Sequence, residues 1–125
     1  MNANLILLIE DNPKNMKLLR DVLGHDGYAV VEAENAEDGI ALARERGPSL
    51  VLMDIQLPGM DGLEAVKILK HDDGTARIPL VAVTAFAMKD DRQRALDAGF
   101  DGYLEKPISV NALREEVRKF IGSEE

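Results

Sequence analysis

Leu50-Val51-Leu52-Met53-Asp54 is apolar at every position but the last, where a carboxylate closes the run. A strand with one face in water alternates apolar and polar residues, so an unbroken run describes a strand covered on both faces. Two other stretches have the same form. Leu5-Ile6-Leu7-Leu8-Ile9 leads into Glu10-Asp11, and Leu80-Val81-Ala82-Val83 leads into Thr84. Tyr28 to Ala33 supplies a more alternating strand, and Gly102-Tyr103-Leu104-Glu105 a short one ending at Lys106-Pro107.

Helical signals fill the intervals. Asn12 before Pro13 reads as an N-cap with proline at the first helical position, and Met16, Leu19, Val22 and Leu23 recur at helical spacing before Gly27. Asn35 caps a second helix with Ile40 and Ala43 inward, and Gly47-Pro48 ends it. A third helix carries Leu63, Val66 and Leu69, and a fourth runs from about Met88 to Ala98 and stops at Gly99. Ser109 caps a fifth, with Leu113, Val117, Phe120 and Ile121 inward. Strict alternation of strands and helices with short loops implies a parallel sheet covered on both sides. Five such units are too few for a closed eightfold barrel. The fold expected is therefore α/β: a flavodoxin-like, doubly wound five-stranded parallel sheet with five helices. Its strand order, 2-1-3-4-5, is taken over from known folds of this kind.

The 125 residues fit one domain, with a core from about residue 4 to 121. Hydrophobic residues make up 46% and aromatics only 4%, so the core must be aliphatic. The chain has no Cys, which excludes disulfides and thiolate chemistry and suits a reducing cytoplasm. Five apolar residues before Glu10 are too few for a membrane span or a signal peptide. The net charge of −8 disfavours direct contact with DNA or anionic lipid, and points to divalent cations and basic protein faces.

The chemistry collects at strand ends. In an open parallel sheet the carboxyl ends of all strands share one edge, where ligands bind. The assumed order brings Glu10, Asp11 and Asp54 together, with Thr84 and Lys106 from the other side. Each alone has an ordinary structural explanation, such as capping, turn chemistry or β-propensity; the set at four strand ends does not. Three carboxylates in one cleft repel each other unless a cation intervenes, and an all-oxygen donor set favours Mg²⁺ before Ca²⁺. Lys106 offers a positive charge and Thr84 a hydroxyl to phosphoryl oxygens. Asp54 is then a carboxylate nucleophile able to form an acyl phosphate.

Glu10-Asp11, the stretch Met53-Asp54-Ile55-Gln56-Leu57-Pro58-Gly59-Met60-Asp61-Gly62, Thr84-Ala85 and Lys106-Pro107 resemble the motifs of response-regulator receiver domains. Val83 to Lys89 is similar to the matching stretch of stand-alone cell-cycle receivers. The resemblance spans nearly the whole chain and implies a single receiver domain over residues 1–125. It implies phosphorylation of Asp54 by a histidine kinase, a histidine phosphotransfer protein or a small phosphodonor. Mg²⁺ would be held by Asp11, Asp54, the backbone carbonyl of Gln56 and, through water, Glu10. Lys106 would hold a phosphoryl oxygen and precede a cis proline. Thr84 and Tyr103 would form a switch pair whose movement alters a partner-binding surface around the fourth and fifth strands. The resemblance implies that Gln56 and Phe86 occupy positions that tune dephosphorylation, and their identities leave that rate open. Output would run to a downstream protein, from a monomer or a phosphorylation-dependent dimer.

Rival readings are a receiver excised from a hybrid histidine kinase, a receiver that signals by binding alone, a mononucleotide binder and a haloacid-dehalogenase-like phosphatase. Met1 and the acidic tail Ser123-Glu124-Glu125 suggest a natural chain, and the intact acidic site argues for phosphorylation. The first strand–helix loop is acidic where a phosphate cradle would be rich in Gly or Thr. The phosphatases carry a second Asp two residues past the nucleophile, where this chain has Gln56. His25 and His71 sit near helix ends in charged stretches and read as surface residues, not relay histidines.

Overall fold

The computed structural model describes residues 4–85 and 89–121, with the backbone alone for 89–91. Phe86, Met88 and the chain ends named above lie outside the described residues. Five strands, β1 (Leu5–Ile9), β2 (Ala29–Ala33), β3 (Leu50–Asp54), β4 (Leu80–Thr84) and β5 (Gly102–Glu105), alternate with five helices. The helices are α1 (Pro13–His25), α2 (Ala36–Arg46), α3 (Gly62–His71), α4 (Lys89–Ala98) and α5 (Val110–Ile121). All pairings are parallel, in the order β2-β1-β3-β4-β5.

Side-chain alternation divides each central strand between two cores. Leu7, Ile9, Val51, Met53 and Ala82 point toward α2, α3 and α4, meeting Ile40, Ala43, Val66, Leu69 and Ala95. Ile6, Leu8, Leu50, Leu52, Val81 and Val83 point the other way, onto Met16, Leu19 and Leu23 of α1 and Leu113 and Val117 of α5. β1, β3 and β4 are buried throughout, as their unbroken apolar runs require. Each fully buried Leu, Ile or Val there contributes about 1.5–3 kcal/mol. β2, at the edge, is partly exposed and starts at Ala29, one residue later than its sequence suggests. Val22, Phe120 and Ile121 are only half-buried, since they lie at the margin of the α1–α5 face.

The caps follow the sequence. Asn12 accepts hydrogen bonds from the N–H groups of Lys14 and Asn15, and Asn35 from that of Asp38. Gly47 ends α2 in the left-handed region (φ 55°). Gly39 lies where α2 presses on β1, and a methyl there would force the Ile9 side chain to shift. Gly24 has no such reason: a methyl there meets nothing within 4 Å.

At the amino-terminal edge of the sheet, charges are paired. The Lys70 ammonium at the end of α3 donates to Asp101 (2.9 Å) and to the carbonyl of Ile78 (3.1 Å). Asp101 accepts in turn from the N–H of Leu80. Arg44 pairs with Asp72 across α2 and α3, and Arg114 forms a two-point pair with Asp26 across α5 and α1.

Candidate functional site

The opposite edge of the sheet is built differently. Glu10 follows β1, and its N–H bonded to the carbonyl of Ala33 fixes its backbone against the end of β2. It is 1% exposed, whereas Asp11, one residue on, is exposed. Asp54 closes β3 and is 4% exposed. Lys106 closes β5, where its N–H bonds to the carbonyl of Thr84 at 2.8 Å and its bond to Pro107 is cis.

The Lys106 ammonium lies between two buried carboxylates. It donates to Asp54 Oδ2 at 2.9 Å and to Glu10 Oε2 at 3.1 Å. The other Asp54 oxygen, Oδ1, accepts from the backbone N–H of Gln56 at 2.9 Å. Glu10 Oε2 also accepts from the N–H of Asn12. Glu10 Oε1 is 3.0 Å from the same ammonium, but the direction is wrong for a hydrogen bond, and this buried oxygen has no donor. Carboxylate oxygens of Glu10, Asp11 and Asp54 all lie within 4.8 Å of one another.

The electrostatics follow from this crowding. Burial, and then the Asp54 carboxylate, push the Glu10 acid above its ordinary value, against the opposing Lys106 and Asn12 hydrogen bonds. Burial works against the Lys106 ammonium, but its hydrogen bonds to Asp54 and Glu10 and their charges outweigh this and hold it above its usual range. One cation faces three acids, so the cleft retains negative charge. A buried carboxylate oxygen without a donor, in an all-oxygen set, fits a hard divalent cation with bound water.

Thr84 ends β4 at 2% exposure, one residue beyond Val83, which lies opposite Asp54 in the sheet. Tyr103 lies opposite Ala82 on β5 and packs half-buried against the α2–α4 core. Gln56 joins the site through its backbone, with its side chain exposed. His25 and His71 are exposed and far along the chain from these groups.

Gly62 contributes more to this site than its place in a turn-rich stretch suggests. It opens α3, and its N–H bonds to the carbonyl of Ile55 at 2.8 Å. A Cβ there would fall 2.7 Å from Ile55 Cα and 2.9 Å from the carbonyl oxygen of Asp54. The loop after the buried carboxylate therefore closes directly on backbone, and only a glycine fits. The nearby Asp61, which caps α3 through the Glu64 N–H, marks where the loop ends, but no sequence pattern reports the backbone contact.

Comparison with known proteins gives one consistent result. The profile of the response regulator receiver domain matches residues 6–118. The polar-differentiation response regulator DivK of Brucella anthropi is 46% identical over 117 residues, covering 94% of this chain and 95% of that protein. The receiver domain of the sensor histidine kinase PA1611 from Pseudomonas aeruginosa, solved with magnesium in its active-site cleft, superposes with a TM-score of 0.88 at 33% identity. That match covers 96% of this chain and 98% of the other. The receiver domain of Saccharomyces cerevisiae Ssk1, solved in complex with the histidine phosphotransfer protein Ypd1, belongs to a structure matched at TM-score 0.85 and 28% identity. Here 93% of this chain and 87% of the matched chain are covered.

Proposed function

The chain belongs to the response regulator receiver domain family, and we propose that it accepts a phosphoryl group on Asp54 and signals through a changed protein-binding surface. The observation that carries this reading is the buried Asp54 carboxylate, hydrogen-bonded to Lys106 in a cleft with uncompensated acid. The donor is a histidine kinase or a histidine phosphotransfer protein, a reading supported by the phosphotransfer complex of the yeast relative.

Asp11 and Asp54 would hold Mg²⁺ with the Gln56 carbonyl, and Glu10 would join through water, which would give the donorless Oε1 a partner. The bound cation supplies charge neutralisation for an incoming phosphoryl group. An Asp54 oxygen bonds to phosphorus as the phosphorus–nitrogen bond of the donor breaks, and the imidazole leaves with that electron pair. Lys106, already directed at Asp54, shifts its hydrogen bond to a phosphoryl oxygen. The Thr84 hydroxyl donates to another, and Tyr103 follows, altering the surface around β4 and β5 that a downstream protein reads. A phosphoryl group shifts this equilibrium only by binding one arrangement better, and one charge-assisted hydrogen bond supplies about 1.5–3 kcal/mol of such preference.

Incubation with Mg²⁺ and acetyl phosphate tests the reading. The protein gains the mass of one phosphoryl group in a hydroxylamine-labile linkage, and Asp54→Asn gains none. Equal labelling of the variant would exclude Asp54 as the acceptor.

A further inference from the structure

Beside the Asp26–Arg114 pair lies a cavity of about 260 Å³, lined by Leu23, Asp26, Tyr28, Arg114, Val117 and Arg118. It opens between the carboxyl-terminal end of α1 and the face of α5. Asp26 caps that end of α1, at the amino-terminal edge of the sheet, so the cavity faces away from Asp54. Leu23 and Val117 form a buried floor. The walls are polar, and guanidinium donors outnumber acceptors among them.

Asp26 fixes Arg114 in place. Nε and Nη2 of Arg114 donate to the two Asp26 oxygens at 2.7 and 3.0 Å, a fork-to-fork pair that leaves the rest of the guanidinium free to donate. Arg118, one helical turn on, is exposed and makes no ion pair among the described residues. It and His25 are close enough to act electrostatically on Asp26. Two arginines and a histidine thus surround one carboxylate, on a chain whose net charge is −8. Planar guanidinium forks of this kind match carboxylates.

We propose that this cavity is a docking point for an acidic side chain of a partner protein, seated between Arg114 and Arg118. Its size fits a single side chain. Pockets for small-molecule ligands occupy roughly 300–1,000 Å³, and this one falls below that range but accommodates a single side chain. A partner held here leaves the cleft at Asp54 open, so docking and phosphoryl transfer use separate surfaces. The proposal does not depend on phosphorylation of Asp54.

The test is NMR titration with a capped peptide of alternating Glu and Leu, its Gln counterpart, and inorganic phosphate. The Glu peptide shifts the Nε–H signals of Arg114 and Arg118 and the amides from Leu23 to Tyr28, saturably. The Gln peptide binds at least about tenfold more weakly, as loss of a charge-assisted contact requires. Arg118→Glu removes the response while acetyl phosphate labelling stays at the parental rate. The proposal is overturned if the Glu peptide gives no saturable shift, or if the Gln peptide or Arg118→Glu responds as the parent does with the Glu peptide. Equal saturation by phosphate alone overturns it as well, by making the cavity a small-anion site. Altered labelling of Arg118→Glu would overturn the separation of the two surfaces.

Discussion

Lys70 and Lys106 both bring an ammonium to the edge of the sheet, at opposite ends of the strands, and their surroundings differ in one respect. Lys70 meets one carboxylate, Asp101, together with the backbone carbonyl of Ile78, and Asp101 is further satisfied by the Leu80 N–H. Lys106 meets two buried carboxylates with a third close by, and one oxygen is left without a donor. The first cluster is balanced in charge and joins α3, β4 and the loop before β5. The second is short of positive charge. Similar parts thus give a fastening at one edge and an unsatisfied cleft at the other.

Exchanging the two lysines for Met would test that contrast most severely. Lys106→Met should slow labelling by acetyl phosphate by about 10²–10³-fold, the effect of removing one oriented donor to developing charge. Lys70→Met should label at the parental rate but lose about 0.5–1.5 kcal/mol in urea unfolding, since the hydrogen bonds from Lys70 to Asp101 and the Ile78 carbonyl are lost. If Lys70→Met slowed labelling as much as Lys106→Met, the two edges would not be functionally distinct.

A smaller effect is expected at Gly62. Gly62→Ala should displace the backbone at Asp54 and Ile55, costing about 1–3 kcal/mol of stability and slowing labelling about tenfold, a barrier change of about 1.4 kcal/mol. Leu69→Ala, a core truncation costing about 2–5 kcal/mol away from the cleft, should leave the labelling rate unchanged at a temperature where both variants are folded. Equal rates for Gly62→Ala and the parent would mean that the loop absorbs the methyl without moving the carboxylate.

The smallest effect belongs to the paired edge. The Gly74 N–H, and then the Arg44 guanidinium, hold the Asp72 carboxyl below its ordinary value. A depressed acid contributes stability that is fully present above its unfolded value and lost as pH falls through the folded one. Asp72→Asn should therefore be slightly less stable at neutral pH and lose less on acidification, measured by urea unfolding across that window. Parallel pH profiles for parent and variant would show that the pair does not contribute.

The sequence makes the strands and their order along the chain legible because burial on both faces leaves no alternation to misread, as in Leu50 to Met53. Asn12-Pro13, Asn35 and Gly47 mark helix ends by local chemistry, and the structure uses all of them as such. The strand order is another matter: it was taken over from known folds, and the pairings establish it here. Glu10 and Asp11 look equivalent in sequence. Only the fold separates them, burying the first and exposing the second, because consecutive residues leave a strand end in different directions. The Lys70 cluster was invisible for a similar reason. A lysine in the last turn of a helix reads as a partner for the helix dipole, and Asp101, 31 residues further on, reads as a turn residue.

The contact between Lys106 and Glu10 joins positions 96 residues apart, and the one with Asp54 spans 52. A ribosome makes Asp54 and its acidic neighbours before the lysine that pairs with them. Until β5 takes its place beside β4, a growing chain carries the carboxylates without their ammonium. Pairing of the buried acids is thus tied to the closing of the sheet by its last strand, β5.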